Sequence, residues 1–286
     1  KGRASIMKHG KLKSGVIGWP IDHSLSPRLH GFWLREHKIN GSYKAIAVEP
    51  KALPATLKTL AENGYAGLNV TVPHKEAVIA HLDEITDQAR RIGAVNTIAV
   101  DDKGRLMGSN TDGFGFIENL KKGHPGFSAA SGPAVVLGAG GAARAIVAAL
   151  IDEGAPSITL LNRTRKRAER LAEELGGPVR VVDWDARNAA IKDAALLTNT
   201  TTLGMTGKAA LDISLDALPI EALVNDVVYV PLETPLLVAA RARGNATVDG
   251  LGMLLHQGRP GFAAWFGVDP QVTDDLRRHV LSGTGG

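Results

Sequence analysis

Apolar and polar positions in the first half of the chain switch between a period of two and a period near 3.6. Residues 12–18 (L-K-S-G-V-I-G) read as a short strand ended by Pro20, and S-L-S-P-R-L-H then opens a helix. Ser26 is a good N-cap and Pro27 suits the first helical position. Leu29, Phe32, Trp33 and Leu34 give that helix its apolar side. Residues 43–48 (Y-K-A-I-A-V) predict a second strand, and residues 54–63 a second helix stopped by Gly64. A third strand, 66–72 (A-G-L-N-V-T-V), closes at Pro73. Val78, Leu82, Ile85 and Ala89 recur at helical spacing and predict a helix ending at Gly93. A hairpin follows, A-V-N-T-I-A-V then R-L-M-G-S-N-T-D around D-D-K-G. The pattern is an α/β layer without internal repeat.

Residues 121–132 have turn and breaker composition and read as a linker. Beyond them P-A-V-V-L (133–137) runs as a buried strand into G-A-G-G-A-A (138–143), then a helix ended by Gly154, then the strand 157–161. Such a βαβ unit is expected to bind a dinucleotide, with a tight turn that holds no ligand as the plainer alternative. Gly138 permits the tight turn, Gly140 lets a pyrophosphate approach the backbone, and Ala143 allows close helix–strand packing. The phosphates then meet the amides of the helix N-terminus. At the end of the second strand, where NAD-binding units place an acid, this chain has N-R-T-R-K-R (162–167) and no acid before Glu169. Cations at a helix N-terminus oppose its dipole, so a bound anion makes sense of them, and NADP is favoured over NAD. A solvated basic helix start is the plainer alternative. Further strands at 179–182, 195–199, 223–229 and 246–248 bring the count to that of a doubly wound sheet.

With 286 residues the chain leans towards two domains. Its 33 Lys and Arg against 29 Asp and Glu give +4, spread over the chain. That suits an anionic small molecule and is too thin for nucleic acid. Zero cysteines exclude a disulfide scaffold, thiolate catalysis and Cys-ligated metal. The basic start lacks the apolar core of a signal peptide, no apolar run approaches a membrane span, and the tail S-G-T-G-G reads as loose chain. A soluble, cytoplasmic protein, monomer or homodimer, is expected.

A dehydrogenase needs a proton donor beside the carbon that exchanges hydride. The nine histidines form no H-E-x-x-H and make no metal site. Lys75 lies in the first turn of the helix after Pro73, where the dipole disfavours a cation and favours acid–base work near neutral pH. An exposed lysine is the equal alternative. Asp112, in S-N-T-D-G, ends the hairpin, where a turn-forming Asp before Gly113 explains it as well. Asn96 and Thr71 are polar residues in apolar strands, and Ser24 and Ser26 stand by a helix N-terminus, a ready anion site.

Together G-W-P-I-D-H-S-L-S-P, N-V-T-V-P-H-K, G-A-V-N-T, N-T-D-G, G-A-G-G-A, N-R-T, N-T-T-T-L-G-M and D-G-L-G-M-L-L-H-Q resemble the shikimate dehydrogenase family. The resemblance runs from about residue 14 to residue 280. It implies reversible NADPH-dependent reduction of 3-dehydroshikimate to shikimate, in aromatic amino-acid biosynthesis. It also implies two α/β domains with the active site in a cleft: residues 1–115 plus 250–286 for substrate, and 116–249 as a Rossmann-like NADP domain. By motif, Lys75 matches the catalytic lysine and Asp112 its acidic partner. Ser24 and Ser26 would hold the substrate carboxylate. Thr71, Asn96, Asp112 and Gln257 would hold the hydroxyls, and Tyr229 would close the pocket. Gly138, Ala139, Gly140, Gly141 and Ala142 would take the pyrophosphate. Asn162, Arg163, Thr164 and Arg167 would take the 2′-phosphate ribose, and Val227, Gly250 and Met253 would line the nicotinamide, with Asp87 also on the cofactor side. Ser109, where an acid is common, and Val227, where a larger apolar residue is common, are the departures. A quinate/shikimate or aminoshikimate dehydrogenase is the rival of the same class, and a non-catalytic NADP-binding regulator that of another.

Overall fold

A computed structural model describes residues 12–284. The basic start and the last two glycines fall outside them. The chain divides into two compact units, one running up to Thr111 and resuming at Gln257, the other Asp112–His256. The sequence puts the crossings near 115 and 250.

The first unit is built from β1 (Leu12–Gly18), α1 (Ser26–Glu36), β2 (Gly41–Ala47), α2 (Leu53–Lys58), β3 (Gly67–Val70), α3 (His74–Ala77), β4 (Glu84–Ile85), α4 (Asp87–Ile92), β5 (Thr97–Val100) and β6 (Leu106–Ser109). Its mixed sheet has the order β2-β1-β3-β5-β6-β4. Ile17, Leu57, Leu68, Val78, Ala89, Val95 and Ile98 belong to one buried cluster on it.

Three local expectations change. Ser26 is the first residue of α1 and not its cap; Leu25 precedes it in helical conformation, and the Ser26 amide donates to Ser24 Oγ at 3.3 Å. The helix expected over 54–63 stops at Lys58, because the following amides close three-residue turns, Leu60 onto Leu57 and Gly64 onto Ala61. The helix expected through Val78, Leu82, Ile85 and Ala89 is broken into α3, a 3₁₀ turn, β4 and α4. All four side chains still meet the core. The backbone between them is diverted to β6: Asp83 N donates to Leu106 O, Thr86 N donates to Gly108 O, and Asp83 Oδ2 accepts from Leu106 N. Thr86 then caps α4, and Gly93 ends it in left-handed conformation.

The second unit opens with α5 (Asp112–Gly123), which takes up the start of the expected linker. Phe116, Ile117 and Leu120 are buried, and Gly113 lies so close to Ala145 and Ala149 that a Cβ would sit 3.0 Å from each. Then come β7 (Ala134–Leu137), α6 (Gly141–Asp152), β8 (Ile158–Leu161), α7 (Arg165–Leu175), β9 (Val179–Val182), α8 (Arg187–Ala190), β10 (Leu196–Asn199), β11 (Leu223–Asp226), α9 (Pro235–Arg243) and β12 (Thr247–Val248). All six strands are parallel in the order β12-β11-β10-β7-β8-β9, that of a doubly wound dinucleotide sheet. Four of them are buried throughout, as parallel strands covered on both faces must be.

The division between the units falls within α10 (Leu251–Phe266), and α11 (Asp274–Leu281) completes the first unit. Trp265 Nε1 donates to Ile98 O at 2.9 Å and passes so near Gly67 that no Cβ would fit there. Arg28 donates to His279 O and to Ser282 Oγ, so Ser282, read as loose tail, is tied down. Among the described residues no helix is long and apolar enough to cross a membrane.

Candidate active site

In the first unit a run of buried polar side chains crosses the ends of β2, β3 and β5. Tyr43, from β2, donates to Asn69 Oδ1 at 2.7 Å and shares a hydrogen bond with the Ser26 side chain. Burial pushes the Tyr43 phenol well above its ordinary value, so it stays protonated and can donate. His30 stacks on Tyr43 at 4.0 Å. Burial lowers its pKa to about 3, with the Asn69 side chain opposing part of the shift, so the ring is neutral. Asn69 Nδ2 donates to Asn96 O at 3.1 Å and to Thr97 Oγ1 at 3.3 Å. Asn96 in turn reaches Thr111 Oγ1 at 2.9 Å and Gln257 Oε1 at 3.4 Å. Ser26, Asn96 and Gln257, far apart in the chain, are thus brought into one connected network, with half-buried Ser24 bonded to the Ser26 amide.

Lys75 and Thr71 flank the bend that follows β3. Thr71 N donates to Ile17 O at 3.0 Å, and its methyl lies so near Gly18 that a Cβ there would stand 2.6 Å away. Between them His74 is buried, with Nε2 2.7 Å from Val48 O, and Lys75 O accepts from Val95 N at 2.8 Å. Lys75 is therefore held by its backbone and by its neighbour while its side chain is half-buried. The helix that carries it is a single turn, so the aligned-peptide dipole invoked from the sequence is small. Asp112 is the first residue of α5 and belongs to the second unit, where a carboxylate suits a helix start. Asp87 occupies the same favourable position in α4 and is exposed, which explains it without a ligand.

In the second unit the glycine loop joins β7 to α6. Gly138 has φ +112°, and a Cβ there would collide with Thr200 Oγ1, which donates to Leu137 O at 2.7 Å. The fold itself demands this glycine. Gly140 and Gly141 face open space, and among the described residues nothing would meet a Cβ on either. Their small size serves whatever approaches the loop from outside. Gly140 is the N-cap of α6 and offers no side-chain cap, nor does the first turn contain an acid, so its amides suit phosphate oxygens. Ala139 lies in the same loop and Ala142 in the first turn of α6, and Ala143 is buried as expected.

At the end of β8, Asn162 Nδ2 donates to Thr164 O at 2.9 Å, shaping the turn into α7. Thr164 makes no side-chain cap, and no acid stands in the first turn. Arg165 is committed to Glu169 and Asp183, each at 2.6 Å. Arg163 and Arg167 are exposed, and neither has an ion-pair partner among the described residues. The first acid after the strand is thereby neutralised, while two guanidiniums remain for an anion. Loop and arginines fit the diphosphate and 2′-phosphate of NADP.

Val227 and Tyr229 follow β11, and burial raises the Tyr229 pKa. Gly250 lies too close to the Val227 backbone for any side chain, and half-buried Met253 follows on α10. Sequence reasoning missed the buried Asp226 beneath them, which accepts from Asn199 Nδ2, Val228 N and Thr234 Oγ1 at 3.0, 3.0 and 2.8 Å. It also missed Tyr43, Asn69, Thr97 and Thr111. Asn69 and Thr97 carry the signal that picked out Thr71 and Asn96, a polar side chain in an apolar strand.

Comparison with known proteins agrees with both halves. A family model for the shikimate dehydrogenase substrate binding domain matches residues 16–98, and one for shikimate / quinate 5-dehydrogenase matches residues 121–204. The chain is 60% identical over 269 residues to the shikimate dehydrogenase (NADP(+)) of Paramagnetospirillum magneticum, covering 94% of this chain and 98% of that one. It resembles the crystal structure of shikimate 5-dehydrogenase from Thermus thermophilus in complex with NADP(H) and shikimate. There the TM-score is 0.84 and the identity 40%, over 95% of this chain and 99% of that one. A quinate dehydrogenase from Corynebacterium glutamicum in complex with NAD is similar in fold, with TM-score 0.88 and 32% identity, over 95% and 99% of the two chains.

Proposed function

The chain belongs to the shikimate dehydrogenase family, and on that premise we infer that it catalyses the NADPH-dependent, reversible reduction of 3-dehydroshikimate to shikimate. The match to an NADP(+) enzyme over 94% of the chain carries this reading, together with two arginines after β8 that have no ion-pair partner among the described residues. NADPH, when bound, supplies the hydride for the C3 carbonyl. Gly138 to Ala142 would hold its diphosphate, and Asn162, Arg163, Thr164 and Arg167 its 2′-phosphate ribose. Val227, Gly250 and Met253 would stand by the nicotinamide.

Lys75, as ammonium, delivers a proton to the C3 oxygen as negative charge develops there, and takes it back in the reverse direction. Asp112 accepts from the neighbouring substrate hydroxyl. Ser24 and Ser26 donate to the substrate carboxylate, and Thr71, Asn96 and Gln257 bond the ring hydroxyls, with Tyr229 covering the substrate. A reducing, cytoplasmic setting suits the cysteine-free chain.

The likeness to an NAD-bound quinate dehydrogenase supplies the second reading. Quinate carries an extra hydroxyl beside its carboxylate and needs room at Ser24 and Ser26. Steady-state oxidation of shikimate and of quinate, each with NADP and NAD, separates the two. Shikimate with NADP should be the preferred pair; preference for quinate with NAD would replace the first reading by the second.

A further inference from the structure

The hydrogen bonds behind Asn96 take one set of directions when each hydroxyl donates along its shorter contact; the longer alternatives are Thr97 Oγ1 to Thr111 Oγ1 at 3.4 Å and Thr111 Oγ1 to Asn96 Oδ1 at 3.2 Å. The Tyr43 hydroxyl, kept protonated by burial, donates to Asn69 Oδ1. That fixes the Asn69 amide with Nδ2 towards Asn96 O and Thr97 Oγ1, and its two protons are used there. Having accepted from Asn69, the Thr97 hydroxyl donates onward to Asn96 Oδ1 at 2.9 Å. Asn96 Oδ1 also accepts from Thr111 N at 2.9 Å. A flipped Asn96 amide would set its NH₂ against that backbone donor, so the NH₂ end is locked on the other side. There one proton meets Thr111 Oγ1 at 2.9 Å, which donates to Gln257 O at 2.8 Å. The other is aimed at Gln257 Oε1 at 3.4 Å, the longest link in the chain and the one a ligand oxygen replaces most easily.

Resting on the shikimate reading, we propose that Thr97 is a positioning residue. Its hydroxyl, oriented by Tyr43 through Asn69, joins the Thr111 amide on Asn96 Oδ1 and holds the Asn96 amide as an N–H donor towards the substrate. The site then selects a ring oxygen that accepts at Asn96. Thr97 is buried in β5 and need not touch the substrate to do this.

The test compares Thr97→Val, which keeps the shape and removes the hydroxyl, with Thr97→Ser, which keeps the hydroxyl. Tyr43→Phe, which keeps the ring on His30, is the second line should the valine variant fail to fold. Thr97→Val should raise KM for shikimate about tenfold, as expected for one lost buried hydrogen bond, with kcat within about twofold of wild type. The Kd for NADP, measured by calorimetry, should not move. Thr97→Ser should restore the wild-type KM, and Tyr43→Phe should raise it about threefold. Unchanged KM in both Thr97→Val and Tyr43→Phe would overturn the positioning role, as would a serine variant as impaired as the valine one. Lack of shikimate oxidation by the wild-type protein would instead count against the assigned reaction.

Discussion

Removing Arg163 and Arg167 together should erase most of the preference for NADP over NAD. Both side chains are exposed at the start of α7 and have no ion-pair partner among the described residues. A guanidinium can clamp a phosphate through two parallel, charge-assisted hydrogen bonds. Exposure and salt screening place each contact at the low end of such bonds, about tenfold in affinity. Two of them give a preference of about a hundredfold in kcat/KM for the wild-type protein. Arg163→Ala with Arg167→Ala should bring the ratio close to one by weakening NADP while leaving NAD nearly unchanged. The assay is initial rates of shikimate oxidation with each cofactor, repeated at low and high ionic strength, since the preference should shrink as salt rises. Arg165→Ala is the control. Its side chain is already held by Glu169 and Asp183, so the ratio should change by less than about threefold. Similar wild-type efficiency with both cofactors, or equal loss of NADP and NAD in the double variant, would refute the clamp.

Lys75→Ala should lower kcat by about 10²–10⁴ with little change in KM for shikimate; normal turnover with lost affinity would remove its acid–base role. Replacing Ser24 and Ser26 by Ala should raise KM for shikimate strongly and leave the calorimetric Kd for NADP alone, whereas an equal loss of both would mark them as structural. Neutral His30 opposes protonation in the folded state. Its contribution is therefore present above the unfolded pKa near 6.5 and lost as pH falls towards about 3. Chemical denaturation between pH 7 and 4 should show that acid sensitivity, and His30→Phe should flatten it. Asp226, raised to about 6 by burial against its hydrogen bonds, acts in the opposite sense. Its stabilising protonation is full below about 4 and lost as pH rises through 6, so Asp226→Asn should steepen the acid loss over that range.

The nucleotide-binding half was legible because its strands are unbroken apolar runs between breakers, as buried parallel strands must be. A glycine facing open space and one pressed on Thr200 look alike in a sequence, however, and only the packing separates Gly140 from Gly138. The segment 74–92 misled because its apolar spacing fits a helix. What breaks that helix is pairing of Asp83 and Thr86 with β6, which leaves no mark on local periodicity. Helix α5 was hidden by the turn-like N-T-D-G at its start and the breakers after it. In the substrate half, Asn96 stood out as a polar residue in a strand, yet its link to Tyr43 runs through strand register. Family resemblance supplied Lys75 and Asp112, whose local settings alone left each open.

The divided first unit has a consequence for how the protein is made. Thr111 Oγ1 bonds to the carbonyl of Gln257, 146 residues later, and Ile98 O waits for Trp265, 167 residues later. At a synthesis rate of about 5–20 residues per second, β1–β6 leave the ribosome roughly seven to thirty seconds before the helix that closes them. The nucleotide-binding unit is contiguous and can complete its sheet within that interval. The half that begins synthesis is therefore finished last. A nascent chain arrested before Gln257 carries a whole cofactor-binding sheet beside a substrate half whose apolar face is still bare, a natural target for chaperones and proteases.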